Sequence, residues 1–243
     1  MLTAVYDMSM DSRKAFLSVG GFACSAAGWT EFDRKWLDRL AQEGLNHFHM
    51  AEFADSVGAF EPFKKQERRQ ELLKDLLGII ASHAYRKFGV TVEVEAEDKT
   101  FFDRNKLEYA PNALALAGKL ACGQALLRAR AERLPVPEFV FGRGYLGRRK
   151  LTEQIRALTG LMPAFKPEKN SPQIRAYTPL QAAAILVYEM SQLNWQGMPQ
   201  GSFSHPFQEL NRMPGGVLRP RRARLRPSTL ICSGNRGMKQ KPR

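Results

Sequence analysis

An α/β fold, with a mixed sheet covered by helices, is predicted by three observations. The chain opens on a hairpin pattern, and strands and amphipathic helices alternate after it. Its 243 residues are 44% hydrophobic, enough to bury one substantial core. Residues 1–198 are expected to form the body, and residues 199–243 a Pro/Gly/Arg-rich basic tail.

Met1 to Asp7 alternates Leu2, Ala4 and Tyr6 with Thr3, Val5 and Asp7, as a short strand would. Ser9 to Lys14 is turn-like, and Ala15 to Ala23 is a second apolar run, so Leu2 to Ala23 reads as a hairpin. From Trp29 to Glu43 the apolar positions 29, 32, 36, 37 and 40 mark a helix stopped by Gly44. A second helix is expected from Gln66 to His83, with Leu72, Leu76 and Ile80 inward, and a strand from Lys87 to Glu95. Pro111 to Leu134 reads as helix, Pro137 to Phe141 as strand and Arg148 to Leu158 as helix. Leu161 to Pro172 is a Pro/Lys-rich loop, and Gln173 to Tyr177 a short fifth strand. Thr178 can cap a last helix with Pro179 in its first position, and Leu180, Ala183, Ala184, Val187 and Tyr188 form its apolar stripe.

No run approaches the ~18 apolar residues of a membrane span, and the start has no signal-peptide pattern, so a cytoplasmic protein without a membrane partner is expected. Cys24, Cys122 and Cys232 match neither a zinc pattern nor a disulfide framework and are expected as buried thiols. The net charge of +13 is uneven: from Asn211 to Arg243 eight Arg and two Lys meet no acid, leaving the body nearly balanced. That tail, carrying Arg219, Arg221, Arg222, Arg224 and Arg226, is expected to be largely disordered and to bind nucleic acid electrostatically.

Two local patterns point to chemistry. His47 and His49, followed by Glu52, could offer metal ligands from one strand face. Gly142, Gly144 and Gly147 form G-x-G-x-x-G between a predicted strand and helix, where a dinucleotide fingerprint belongs. That fingerprint also requires a following strand and an acid ~20 residues on, and neither is evident in the Pro/Lys-rich region around Met162 to Glu168.

The run Pro179-Leu180-Gln181-Ala182-Ala183-Ala184-Ile185-Leu186-Val187-Tyr188-Glu189 resembles the C-terminal signature of a bacterial family catalogued as domain of unknown function 3800. The family typically reads P-L-Q-x-A-D-x-L-A-Y-E there. Phe48-His49-Met50-Ala51-Glu52-Phe53 is similar to the family's F-H-M-x-x-F segment, and Val140 to Gly147 keeps the frame of its F-x-F-E-x-G-D-x-G turn. The resemblance spans roughly Leu2 to Leu193 and implies a ribonuclease H-like fold with a metal-dependent nuclease site.

By that resemblance Asp7 is the surviving acid. Met8, Gly142, Tyr145 and Ala184 stand where the family has Glu, Glu, Asp and Asp. A nuclease of this kind needs converging carboxylates to hold Mg²⁺ or Mn²⁺, so this copy is expected to be inactive and to bind no metal. If any metal is held, Asp7 and His49 are its expected ligands. Alternatives are a rearranged active set of Asp7, Glu52 and Glu189, and a nucleic-acid-binding or regulatory protein working through its tail. Against the rearranged set, Glu189 is turned about 140° from position 184 on a helix.

Overall fold

The computed structural model describes residues 1–11, 15–94, 111–142, 147–167, 177–192 and 205–218. Strands β1 (Leu2–Met10) and β2 (Phe16–Ser25) form the expected hairpin. Then come α1 (Ala26–Gln42), α2 (Met50–Asp55), a 3-10 segment (Gly58–Lys64) and α3 (Gln66–His83). The chain continues through β3 (Arg86–Glu93), α4 (Pro111–Ala131), β4 (Glu138–Gly142), α5 (Arg148–Thr159) and β5 (Ala164–Lys166). It closes with α6 (Thr178–Gln192), α7 (His205–Arg212) and β6 (Gly215–Leu218).

The six strands lie in the order β5-β4-β1-β2-β3-β6. The pairs β1/β2 and β2/β3 are antiparallel; β1/β4, β4/β5 and β3/β6 are parallel. β1 is therefore central and covered on both faces, which is why Thr3 to Met8 are all buried despite their mixed character. On one face Val5, Phe22, Cys24 and Val140 meet α1, α3 and α6. On the other, Ala4, Tyr6, Met8, Phe139 and Phe141 meet α4 and α5.

The aromatic residues organise the first core. Phe32 stacks on Trp36, and Trp36 meets Phe48 edge-on at 6.1 Å between ring centres. Gln181 pins this chain to α6: its Oε1 accepts from Trp36 Nε1 (2.9 Å) and from the Phe48 backbone N–H (2.8 Å). Both donors are buried, so this one side-chain oxygen satisfies two groups that water cannot reach.

Several sequence expectations are corrected. Thr178 does not use its hydroxyl as a cap; it donates to Asp33 Oδ1 on α1 (2.5 Å). The helix α1 starts earlier than Trp29, because Ser25 Oγ accepts from Gly28 N–H (3.0 Å) and supplies the cap. His47 and His49 do not share a strand: His49 precedes α2, and Glu52 lies in its first turn. The Pro/Lys-rich loop contains β5, while the strand expected at Gln173 to Tyr177 lies outside the described residues apart from Tyr177, which is not in a strand.

The boundary at residue 198 also moves. Leu210 and Met213 are buried in the first core, and β6 pairs with β3. Lys87 secures the join: its buried ammonium donates to the carbonyls of Asn211 (3.0 Å) and Met213 (2.5 Å), where α7 ends. A cation suits the carbonyl end of a helix, although burial lowers the Lys87 pKa. Residues 205–218 therefore belong to the body, and the five arginines from Arg219 to Arg226 lie outside the described residues.

Ending the chain at residue 218 removes none of the described packing and should leave Tm nearly unchanged. Ending it at 198 strips Leu210 and Met213 from the core and should cost about 3 kcal/mol or more, read by denaturant melts of both truncations. Gln181→Leu orphans two buried N–H groups and should cost about 2–4 kcal/mol; a loss below about 0.5 kcal/mol, within the range of neutral surface changes, would refute the clamp.

Candidate functional site

The site implied by the resemblance centres on Asp7. Alternation along β1 puts Val5, Asp7 and Ser9 on the α6 face of the sheet, and Tyr6 and Met8 on the α4 face. Asp7 is 9% exposed and sits opposite Gly20 on β2. A Cβ at Gly20 would come within 3.1 Å of Met190 Sδ and 3.3 Å of Leu186 Cδ2, so α6 lies against the sheet at this level.

Gly142 comes to the same place from the other side. The β1/β4 register pairs Tyr6 with Phe141, whose rings stack at 5.2 Å. One residue on, Asp7 and Gly142 are neighbours and face α6 together. Ala184 is brought there by its helix. Ser9 Oγ donates to Ser191 Oγ (3.1 Å), fixing where α6 passes over the end of β1. Seven residues back from Ser191 is two turns on the same helix face, about 10 Å, so Ala184 lies within about one turn of the level of Asp7. It is half-buried.

Met8 does not join them. It packs in the second core beneath α4, 6% exposed. The expectation that Met8 lines the same cluster as Asp7 is therefore corrected by strand alternation: adjacent residues point to opposite faces. Tyr145 lies outside the described residues.

The remaining candidates sit apart or are otherwise engaged. His49 Nδ1 is 3.2 Å from Glu52 Oε1, so this pair forms within its own helical turn. Glu189 is buried and leaves the face that carries Ala184. Burial first, and then the Asp55 and Glu189 carboxylates, raise the pKa of the half-buried Tyr188 phenol. Among the described residues no three His, Cys, Asp or Glu side chains group as a metal site.

One residue emerges that the sequence reading passed over. The β4/β5 register pairs Gly142 with Lys166, and alternation from Ala164 puts Lys166 on the α6 face. Lys166, Gly142, Asp7 and Gly20 thus form a row across four strands, with an exposed cation at its edge. The signal was the alternation of Ala164, Phe165 and Lys166, hidden inside a loop-like composition. The same strand gives the glycine motif the β-α-β surround that the sequence did not predict. Its end carries Lys166, where the dinucleotide fingerprint would have an acid. Gly147 precedes α5 at φ 92°, a backbone that favours glycine.

This geometry gives a direct expectation. Gly142→Glu with Ala184→Asp adds two carboxylates beside Asp7, which repel unless a cation binds. The double variant should be stabilised by Mg²⁺ or Mn²⁺, by about 2.7 kcal/mol at one hundred times Kd and with a raised Tm, while the unaltered protein should not. Met8→Glu should only destabilise, by about 2–4 kcal/mol, because it buries a charge in the other core. A large Mg²⁺-dependent shift in the unaltered protein would overturn this view.

Compared with family models, curated proteins and solved structures, the chain matches none.

Proposed function

We propose that this is a ribonuclease H-like protein of the metal-dependent nuclease kind, similar to the domain of unknown function 3800 family, that binds nucleic acid without cleaving it. One observation carries the reading. Asp7 and Gly142 face the same helix from adjacent strands, Ala184 lies within about one turn of their level, and of these positions only Asp7 has a carboxylate. The nearness of these three positions supports the reading, and two of them carry no acid.

Strand order supports the fold assignment. An antiparallel β1-β2-β3 set, extended by parallel β4 and β5 on the β1 side, is the arrangement a ribonuclease H-like fold requires. Here β6 adds a strand at the far edge.

The donor set does not fit a divalent ion. Mg²⁺ wants about six oxygen ligands in near-octahedral array, usually anchored by more than one carboxylate or by substrate phosphates. At positions 7, 142 and 184 one side chain in three can supply oxygen. No hydrolytic step is derived through a metal on these residues. What remains is the single carboxyl of Asp7 in a mostly buried position, flanked by Gly20 and Gly142. Affinity for nucleic acid is assigned to cations instead, chiefly the segment that carries Arg219, Arg221, Arg222, Arg224 and Arg226.

Incubation of the full chain with single- and double-stranded DNA and RNA, in Mg²⁺ or Mn²⁺, should show binding and no cleavage. Ending the chain at residue 218 should flatten the dependence of log K on log salt. Divalent-dependent cleavage that Asp7→Asn abolishes would replace this reading with an active enzyme.

A further inference from the structure

Helix α4 is apolar on nearly every side. Leu114, Ala117, Ala121 and Ala125 pack in the second core, against the sheet. A surface helix would carry polar residues on the opposite face. Here that face carries Leu116, Leu120 and Leu127, which are 40%, 40% and 67% exposed. With Gly123 among them, these positions fall within about 60° of one another on a helix. Their spacing of four, three and four residues is that of a coiled-coil seam. A helix apolar all round belongs in an interior.

The spacing also selects what covers the stripe. Leu116, Leu120, Gly123 and Leu127 are placed symmetrically about the stripe's midpoint, so it is complementary to its own copy laid antiparallel. Leu116 then meets the partner's Leu127, and Leu120 meets the partner's Gly123. The outer side of Gly123 is open: a Cβ there would meet only Leu158 Cδ2, at 3.7 Å. Each Leu120 therefore fills the space that a glycine leaves. Parallel pairing would set glycine against glycine and leave a void, which is costly.

The flanks of the stripe agree. Gln124 Oε1 is buried and has no hydrogen-bond partner among the described residues. In the antiparallel pair both Gln124 side chains lie on one flank, about 7.5 Å apart along the axis. An amide carries donor and acceptor together, so it can pair with its own copy. On the other flank Lys119 donates to Gln154 Oε1 on α5 (3.0 Å), which draws its ammonium off the seam.

From this we infer that α4 is a homodimer interface, with two copies paired antiparallel along Leu116, Leu120, Gly123 and Leu127. Its 21 residues offer a strip about 30 Å by about 10 Å, small beside the ~800 Å² per partner of a standard interface. The dimer is therefore weak, with a Kd of about 1–100 µM. Each copy carries a net charge of +13, so repulsion opposes pairing and added salt tightens it by screening.

Sedimentation equilibrium of the full chain, freed of nucleic acid, should show a monomer–dimer equilibrium that strengthens between about 0.1 and about 0.5 M salt. Leu120→Glu should weaken it at least about thirtyfold by burying charge in the seam, with the Tm of dilute protein unchanged. If that variant does not fold, Leu120→Gln should weaken it by about threefold or more. Register is read by crosslinking in a Cys232→Ser background, where Cys24 and Cys122 are buried. A short bifunctional thiol reagent should join Leu116→Cys to Leu127→Cys when the two variants are mixed. Neither should join to itself, because like positions lie about 16 Å apart; self-crosslinking of each alone would overturn the antiparallel pairing. A chain that stays monomeric across this range, or a Kd unmoved by Leu120→Glu, would overturn the interface. Association that salt weakens would assign it to a bridging polyanion instead. A monomer whose Tm falls with Leu120→Glu would show that the chain itself covers the stripe, and would overturn the inference equally.

Discussion

The hydrogen bonds accepted by Gln181 hold the first layer together. Its Oε1 takes the indole N–H of Trp36 on α1 and the backbone N–H of Phe48 in the segment before α2. The neighbouring segments of Trp36 and Phe48 are thus fixed to a helix residue 133 positions beyond Phe48 by one buried oxygen. The placement of the start of α6 against α1 follows from it. Next to Gln181, Thr178 bonds Asp33 and ties the start of α6 to α1 a second time. The Pro179-Leu180-Gln181 run is thus a packing device before it is a functional signature.

At the other end of α6 the fit depends on small and hydroxylated residues. Gly20 leaves room for Met190 and Leu186, and Ser9 bonds Ser191. Ser18 and Thr91 share a hydrogen bond of 2.8 Å between β2 and β3. These pairs satisfy polar groups that would otherwise be costly to bury. They make the ends of the strands polar on the face where Asp7 lies, while the opposite face at the same level is apolar, with Met8 and Val19 in the second core. A site built here can use residues of one parity only.

That constraint bears on what further acids at these positions would do. Carboxylates at 142 and 184 would crowd Asp7 in a mostly buried position, and without a cation their repulsion would lower stability. Gly142 and Ala184 remove the repulsion and leave the packing of α6 intact. Lys166, one strand further out, brings a positive charge to the same row.

Much of the architecture was legible in the sequence. The hairpin, the helix at Gln66–His83 and the alternation of β3 and β4 appear directly in apolar periodicity, because each buries a defined face. Gly44 ends its helix region with φ 72°, as a glycine stop should. Cys24 and Cys122 are buried free thiols, as their spacing indicated. Other features depended on partners that no local pattern reveals. β5 is three residues long and β6 contains Gly215 and Gly216; each is a strand because a neighbour supplies the ladder. The residues from Leu210 to Met213 look like part of a basic tail until Lys87, more than a hundred positions earlier, donates to the carbonyls of Asn211 and Met213. The candidate site divides the same way. Sequence motifs named Asp7, Gly142 and Ala184, whereas Met8 was separated from them, and Lys166 added, by strand parity and register. Those are properties of paired strands, and only tertiary structure decides them.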